Sequence, residues 1–290
     1  MPSRSEVPLR RITKPACYAS AVQLAEDISL APLTTFGIGG PSRYFCRAES
    51  EADVEAAWRW SRERDVPLLV LGGGSNLLIS DAGFPGLTLQ IDLRGRERAA
   101  ATGQVQAAAG ENWDGFVAWC VGQDLAGVEC LSGIPGTVGG TPVQNVGAYG
   151  QEVAETIRQV RAWDRKTGAW VELNHAACHF AYRSSLFNST ARDRYIVTRV
   201  WFELRPGGAP SLRYPELQRK LAEHPEPGLQ QVRETVREIR RGKAMLLTEG
   251  EVECHSAGSF FKNPVVAQQR LPEIEQRAGA APPQFPAGDG

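Results

Sequence analysis

Two glycine-rich segments combine a flexible backbone with small polar side chains, a combination that suits phosphate binding. The first covers residues 72–76 and reads Gly72-Gly73-Gly74-Ser75-Asn76. The second covers residues 133–140 and includes Gly136, Thr137 and Gly139. Glycine lets the backbone approach a ligand closely, and successive N–H groups that turn inward can hold an anion. A tight β-turn is the alternative for the first segment, and a solvated loop is the alternative for the second.

The first segment fits neither of the two common nucleotide-binding motifs. In a GxGxxG fingerprint the third glycine would fall at Leu77, and Leu77–Ile79 resembles a second β-segment, not the start of a helix. The sequence also lacks the GxxxxGKS/T motif of a phosphate loop. We therefore expect neither a Rossmann nucleotide site nor a P-loop.

A third run follows the second segment closely and reads Gln144-Asn145-Val146-Gly147-Ala148-Tyr149-Gly150. Together the second and third runs hold six glycines between positions 133 and 150. Such a density of glycine weakens an ordinary helix or strand, and Ile134 and Val138 are too apolar for a solvated loop. We therefore expect the backbone of this region to lie against a ligand such as a cofactor pyrophosphate.

Composition and charge exclude several classes of protein. The 290 residues carry 32 basic and 33 acidic side chains, a net charge of −1, which argues against a surface that coats nucleic acid. Apolar residues make up 42% of a composition typical of soluble globular proteins, and no run approaches the ~20 apolar residues of a membrane span. The six cysteines show neither CxxC pairs nor zinc-site spacing, so we expect reduced thiols, no metal site and a cytoplasmic protein.

Local patterns predict an α+β fold with many short strands. A helix is expected over Ser50–Asp65, where Ser50 and Asp53 can form a capping box. Two further helices are expected, one over Trp113–Leu125 and one after Gly228. Strands are expected over Leu68–Leu71, Leu87–Ile91, Val160–Asp164, Trp170–Leu173 and Ile196–Leu204.

The run Pro206-Gly207-Gly208-Ala209-Pro210 is the best candidate for a linker between domains. We expect a flexible lead-in over residues 1–20, a first domain over residues 21–205 and a second domain over residues 209–290.

Six motifs in one order give the sequence a family resemblance. They cover residues 35–40, 72–76, 134–139, 144–150, 182–187 and 257–264, and the last two read Tyr-Arg-Ser-Ser-Leu-Phe and Ala-Gly-Ser-Phe-Phe-Lys-Asn-Pro. From about Leu30 onward the sequence resembles the UDP-N-acetylenolpyruvoylglucosamine reductases (UDP-N-acetylmuramate dehydrogenases). These are flavoenzymes of bacterial peptidoglycan, and hence cell wall, precursor synthesis. The resemblance implies an FAD-binding domain of the vanillyl-alcohol-oxidase (PCMH) type, followed by a smaller, incomplete α+β substrate-binding domain.

The resemblance also implies the cofactors and the reaction. NADPH reduces the bound FAD and leaves, and the enolpyruvyl sugar nucleotide then takes its place in an enzyme that we expect to be a monomer. A hydride passes to C3 of the enolpyruvyl group, and C2 is protonated. The residues implied to line the flavin site are Gly72, Gly73, Gly74, Ser75, Asn76, Gly136, Thr137, Gly139, Gln144, Asn145, Gly147, Ala148 and Tyr149.

Arg183 and Ser259 match the catalytic residues of the family. Charge develops on the C2 carboxylate when the hydride adds, and an arginine fork such as that of Arg183 fits a carboxylate. Ser259 would donate the proton to C2, and Lys262 and Asn263 could stabilise the alkoxide that remains. Outside the motifs, a surface ion pair and a turn hydroxyl would be the ordinary interpretations.

The residues that match substrate contacts of the family are Tyr214, Arg240, Lys243 and Asn263. Arg240 shares a helix face with Arg233 and Arg237, and the interleaved glutamates favour a solvated face for this stripe of arginines. We therefore expect Arg240 and Lys243, and not the whole stripe, to contact the substrate phosphates.

One catalytic residue of the family, a glutamate near the C-terminus, has no counterpart here. Glu273 and Glu275 come too early, and the sequence reaches Gly290 within a glycine-rich loop. We expect a C-terminally truncated copy of the enzyme, and the alternative is a flavin-binding but catalytically impaired short form. A flavin oxidase with covalently attached flavin is a further alternative. All four histidines lie outside the glycine motifs, which argues against it.

Overall fold

The two largest β-sheets of the described residues have four and five strands. The computed structural model describes residues 22–100, 102–248, 250, 254–256, 258–259 and 261–284. The expected lead-in over residues 1–20 lies outside this range. The described strands are β1 (Ala25–Ser29), β2 (Pro41–Ala48), β3 (Leu68–Leu71), β4 (Phe84–Ile91), β5 (Arg96–Arg98), β6 (Gln104–Ala108), β7 (Leu125–Ala126), β8 (Gly147–Ala148), β9 (Gln151–Glu152), β10 (Ile157–Asp164), β11 (Ala169–Asn174), β12 (Tyr195–Glu203) and β13 (Arg205–Pro206). The described α-helices are α1 (Glu51–Glu63), α2 (Trp113–Gly122), α3 (Pro215–Lys220), α4 (Leu229–Gly242) and α5 (Leu271–Ala278).

The first sheet is mixed and has the strand order β1-β2-β4-β3. Strand β1 runs antiparallel to β2, whereas β2 and β3 both run parallel to β4. Helix α1 connects β2 to β3 and begins at the predicted capping box. The amide of Ser50 donates to Asp53 at 2.8 Å, and the amide of Asp53 donates to Ser50 Oγ at 3.2 Å. Because Val54 and Ala57 are fully buried, α1 covers one face of the sheet.

The second sheet is antiparallel and has the strand order β11-β10-β12-β6-β5. Helix α2 packs against it, and the ring centroid of Phe116 lies 4.9 Å from that of Phe202 on β12. An ion pair joins the two sheets, because Arg161 on β10 donates to Glu51 on α1 at 2.8 and 3.1 Å. The first glycine-rich segment leaves the end of β3, and the second is hydrogen-bonded to Ala109, directly after β6.

Helices α3 and α4 enclose a small apolar cluster against the loop that carries Cys130. Its other buried members are Leu217, Leu221, Val232, Val236 and Ile239. The chain divides into two compact units between residues 257 and 258, and α5 lies in the second unit. Within the first unit, the expected linker begins as strand β13, which pairs with β7. The domain boundary after residue 205 therefore stays a prediction.

Two predicted elements differ from the structure. Leu77–Ile79 is not a strand, since Leu77 and Ile79 pack onto the apolar cluster around Leu30, Phe45 and Leu71 without a strand partner among the described residues. Helix α2 ends three residues before Leu125, because Asp124 adopts a left-handed conformation with φ 55°. Among the described residues, none of the helices has both the length and the apolar character needed to cross a membrane.

Candidate active site

The first two glycine-rich segments lie against each other. A Cβ built on Gly73 would lie 2.6 Å from the Cα of Gly136, and one built on Gly136 would lie 2.8 Å from Ser75 Oγ. A Cβ on Gly72 would lie 2.9 Å from Thr137 Oγ1. Separations this short leave no room for a side chain, so the glycines allow the two backbones to meet.

Backbone hydrogen bonds hold both segments in place. Residues 72–76 leave the end of β3, and the amide of Thr35 donates to the carbonyl of Gly74 at 3.0 Å. The other segment runs beside the start of α2, where the amide of Trp113 donates to Gly136 at 3.1 Å. The amide of Gly139 donates to Ala109 at 2.9 Å, directly after β6. Each sheet therefore presents one glycine segment to the other.

Six amides in this contact region point to no protein acceptor. In the described part of the chain, the N–H groups of residues 73–76, 136 and 137 make no hydrogen bond to the protein, and neither do the hydroxyls of Ser75 and Thr137. Buried backbone N–H groups in folded proteins are nearly always paired, and within this set Gly74 is buried whereas Gly73 and Asn76 are exposed. Successive amides without a protein acceptor are a suitable environment for phosphate oxygens. The donor set, and the lack of side chains at the glycines, therefore fit the pyrophosphate of FAD.

The third run extends this site toward Arg183. Asn76 Nδ2 donates to Gln144 Oε1 at 2.7 Å, which joins the first and third runs. Asn145 is buried, and its Nδ2 donates to Glu152 Oε2 at 2.7 Å and to the carbonyl of Ala181 at 3.0 Å. These bonds bring the segment around residue 182 to the glycine run.

Arg183 lies against the backbone of the third run. Its Nη1 donates to the carbonyl of Asn145 at 3.4 Å, and its Nη2 donates to the carbonyl of Gly147. Asn145, Tyr149 and Arg183 have φ values of 45°, 49° and 52°. Left-handed conformations cost energy in residues other than glycine, and they concentrate at functional sites. The guanidinium of Arg183 is thus held in one orientation beside the third run.

Three of the predicted substrate residues surround Tyr149. The rings of Tyr149 and Tyr214 meet edge to face, with centroids 5.3 Å apart. Burial raises the pKa of Tyr149, and the charges of Arg240 and Lys243 partly oppose this rise. Lys243 Nζ forms an ion pair with Glu216 Oε2 at 2.5 Å. The structure therefore brings Tyr214, Arg240 and Lys243 together around Tyr149, near the end of the third run.

Ser259 and Asn263 lie in the second compact unit. Both are exposed and belong to a segment without helix or strand that precedes α5. Lys262, the proposed stabiliser of the serine alkoxide, lies in the same segment. Their functional roles stay predictions.

The expectation of a solvated arginine face on α4 is wrong. Arg233 and Arg240 are only 8% and 7% exposed. Arg233 donates to both oxygens of Asp114 at 2.5 and 3.1 Å, and Arg237 pairs with the same carboxylate. Because Asp114 lies on α2 and is remote in sequence, the spacing within α4 gave no signal of this ion-pair network.

Like Asp114, His255 has a contact near the site that the sequence did not indicate. Its Nδ1 lies 2.7 Å from the carbonyl oxygen of Thr35, the residue whose amide binds Gly74. A Cβ built on Gly37 would lie 3.4 Å from the same Nδ1. The imidazole therefore supports the segment that holds the first glycine run.

Comparison with known proteins identifies the relatives of this chain. Residues 42–174 match the family described as FAD binding domain. A protein from Streptomyces coelicolor named UDP-N-acetylenolpyruvoylglucosamine reductase is 46% identical, over 96% of this chain and 75% of its own length. A protein of the same name from Thermobifida fusca is 43% identical, over 92% of this chain and 78% of its own.

A solved structure supports the same grouping. The crystal structure of UDP-N-acetylenolpyruvylglucosamine reductase (MurB) from Thermus caldophilus superposes with a TM-score of 0.58 at 25% identity. The superposition covers 88% of this chain and 80% of that one. The α+β fold and the FAD-binding domain predicted from the sequence are confirmed. The chain belongs to the UDP-N-acetylenolpyruvoylglucosamine reductase family.

Proposed function

We propose that this chain reduces the enolpyruvyl group of UDP-N-acetylenolpyruvoylglucosamine to give UDP-N-acetylmuramate, with NADPH as reductant and FAD as resident cofactor. The reaction is a reduction at a CH–CH group and supplies a precursor of the bacterial cell wall. One observation carries the proposal. In a chain whose curated relatives bear the name of this reductase, two facing glycine runs carry six amides without an acceptor among the described residues, and the third run links them to the oriented guanidinium of Arg183.

The amides of the facing glycine runs would hold the pyrophosphate of FAD. Bound FAD supplies hydride transfer, first as acceptor from NADPH and then as donor to C3 of the substrate. The hydroxyls of Ser75 and Thr137 add two donors beside the amides. The third run, over residues 144–149, would line the remainder of the flavin site because Asn76 and Gln144 join it to the first.

Arg183 would bind the carboxylate of the enolpyruvyl group. An arginine presents parallel N–H donors that match the two oxygens of a carboxylate, and its charge stabilises the negative charge that develops there. The carbonyls of Asn145 and Gly147 already fix its orientation. Little reorganisation is then needed when the substrate arrives.

Ser259 would donate the proton to C2. A serine hydroxyl is a weak acid, so the group must lie within hydrogen-bonding reach of C2 and its alkoxide must be stabilised. Lys262 and Asn263 follow Ser259 by three and four positions in the sequence and could supply that stabilisation. This assignment rests on the family motif.

Tyr214, Lys243, Arg240 and Asn263 would bind the rest of the sugar nucleotide. Tyr214 and Lys243 lie beside Tyr149, where a hydroxyl and an ammonium could reach a diphosphate. The ammonium of Lys243 would then be shared between Glu216 and the phosphates. Arg240 is buried and donates to the carbonyls of Gly133 and Met245 at 3.0 and 2.7 Å. It would therefore also support the start of the second glycine run, to which Gly133 belongs.

We also propose that the enzyme works as a monomer in the cytoplasm. Arg183 and the residues around Tyr149 come from a single chain. NADPH and UDP-linked sugars are metabolites of the cell interior. Light scattering of the FAD-loaded protein in solution tests the oligomeric state, and a monomer should have a molar mass close to that of one 31.6 kDa chain with its FAD.

A turnover assay tests the proposed function. The purified chain, loaded with FAD, is mixed with NADPH and the enolpyruvyl sugar nucleotide, and the product is identified by mass spectrometry. We expect NADPH consumption that requires the substrate and a product that has gained two hydrogens. FAD binding without substrate-dependent NADPH consumption would contradict the reductase and favour a flavoprotein without this activity. Flavin that stays with the denatured protein would favour a covalent flavin oxidase.

A further inference from the structure

Gly133 is held on both sides by side chains from two helices. Its amide donates to Asp114 Oδ1 on α2 at 2.7 Å, and its carbonyl accepts from Arg240 Nε on α4 at 3.0 Å. Gly133 is buried and has a φ of 71°, in the left-handed region that favours glycine. It precedes Gly136 by three residues. The start of the second glycine run is therefore fixed by α2 and α4 together.

Asp114 is the centre of this arrangement. Its carboxylate accepts two hydrogen bonds from Arg233, one from Arg237 and one from the amide of Gly133. Burial raises the pKa of Asp114, but the hydrogen bonds from Arg233 and Gly133 outweigh burial and hold that pKa below its ordinary value. Asp114 therefore stays ionised when the protein is folded near neutral pH.

The charge of Asp114 balances arginines on α4, of which Arg233 is buried and Arg237 is half-buried. The side chain of Arg233 is 10% exposed, and Arg237 and Arg240 follow on the same face of α4. A buried charge that loses its partner is costly, and the helix must move or admit water to relieve it. A movement of α4 would also displace Arg240 from the carbonyl of Gly133.

We infer that Asp114 is a positioning residue for FAD binding, an inference that rests on the proposed function. The carboxylate couples α4 to Gly133 and so sets where Gly136 and Thr137 stand relative to Gly73. The phosphate-binding amides lie on these residues. Loss of the Asp114 charge would therefore displace the second glycine run relative to the first, although the sequence of both runs is unchanged.

The test compares Asp114→Asn with Asp164→Asn. Asp164 is a matched control because its carboxylate, which is more buried than that of Asp114, also accepts two hydrogen bonds from one arginine, Arg194, at 3.0 and 2.6 Å. Its further partner is the amide of Lys166 at 2.9 Å, and none of these hydrogen bonds involves a glycine run. Both variants lose an ion pair with arginine, but only Asp114→Asn removes a carboxylate that also binds the start of a glycine run.

The measurement is the FAD dissociation constant of the apoprotein, obtained by flavin fluorescence, together with the absorption spectrum of the bound flavin. We expect Asp114→Asn to weaken FAD binding by about tenfold, a loss of about 1.4 kcal/mol, and to shift the flavin spectrum. We expect Asp164→Asn to bind FAD within about twofold of wild type, despite a lower stability. Should Asp114→Asn fail to fold, Arg237→Gln gives a milder perturbation, and we expect it to weaken FAD binding by about threefold.

Two outcomes would overturn the inference while leaving the proposed function intact. In one, wild type and Asp114→Asn bind FAD equally. In the other, the loss of FAD affinity follows the loss of unfolding free energy in the same way in Asp114→Asn and Asp164→Asn. That result would show a general effect of destabilisation. A wild-type protein that binds no FAD would overturn the proposed function and the inference together.

Discussion

The Cα of Gly136 lies 2.6 Å from the position that a Cβ would occupy on Gly73. Gly73 follows β3 of the first sheet, whereas Gly136 lies in a loop that is bonded to the start of α2, so their contact joins the two halves of the first unit. The unbonded amides are collected at this point, and the proposed pyrophosphate site depends on it.

We predict that Gly73→Ala weakens FAD binding by at least about tenfold. The added methyl group would collide with the backbone of Gly136, which cannot move aside as a flexible side chain could. FAD binding to the apoprotein, followed by fluorescence, provides the measurement. Gly140→Ala is the control, because nothing lies within 4 Å of a Cβ at that position. Equal FAD affinity in the two variants would show that the close contact does not matter for binding.

We predict that Arg183→Lys slows reduction of the enolpyruvyl substrate by about 10² while reduction of the flavin by NADPH stays near the wild-type rate. Lysine keeps the charge but lacks the planar fork that reaches the carbonyls of Asn145 and Gly147. Stopped-flow absorbance of the flavin separates the two half-reactions. Arg192→Lys, at an exposed arginine, is the control and should leave both unchanged. A normal substrate half-reaction in Arg183→Lys would exclude the carboxylate-binding role.

We predict that Ser259→Ala leaves flavin reduction by NADPH intact and slows flavin reoxidation by the substrate by about 10² or more. The variant lacks the hydroxyl that would protonate C2. Ser259→Thr keeps a hydroxyl and should retain more of the substrate half-reaction. If both half-reactions fell equally in Ser259→Ala, the serine could not be the specific proton donor.

We predict that Asp164→Asn lowers the free energy of unfolding by about 2 kcal/mol at pH 7. Hydrogen bonds from Arg194 lower the pKa of Asp164 to about 2, below its ordinary value of 3.8. A depressed carboxyl pKa stabilises the fold above the unfolded pKa, and this stabilisation is lost as the pH falls through the folded pKa. Urea unfolding should therefore show a constant difference between wild type and variant from pH 7 to pH 5. The difference should narrow as the pH falls below about 4. A difference that stays unchanged into that acidic range would assign the effect to packing and not to charge.

Features decided by neighbouring residues could be predicted from the sequence. The capping box of Ser50 and Asp53 needs contacts over three positions, and it forms as predicted. The continuous apolar run of β3, which lies between Pro67 and Gly72, placed that strand at its observed bounds. Leu77–Ile79 has a similar apolar character, but the side chains of Leu77 and Ile79 pack onto a cluster and not into a sheet, and this difference depends on the tertiary fold.

The site was predictable in its residue types but not in its arrangement. The motifs named the glycine runs, Arg183 and the residues around Tyr149, which the structure brings together in space. No spacing in the sequence could show that Gly73 faces Gly136, since 63 positions separate them. The arginines of α4 were misjudged for the same reason. Their helical period suits a solvated face, and their carboxylate partner Asp114 lies more than one hundred positions away.

The most direct test of the proposed reductase is the visible absorption spectrum of the purified protein through one anaerobic cycle. The spectrum is recorded as purified, after addition of NADPH, and again after addition of the enolpyruvyl sugar nucleotide. We predict a yellow protein that bleaches with NADPH and regains its colour with the substrate. A protein that cannot be made yellow by FAD would contradict the glycine-run site. A protein that bleaches and stays bleached would contradict the proposed substrate reduction.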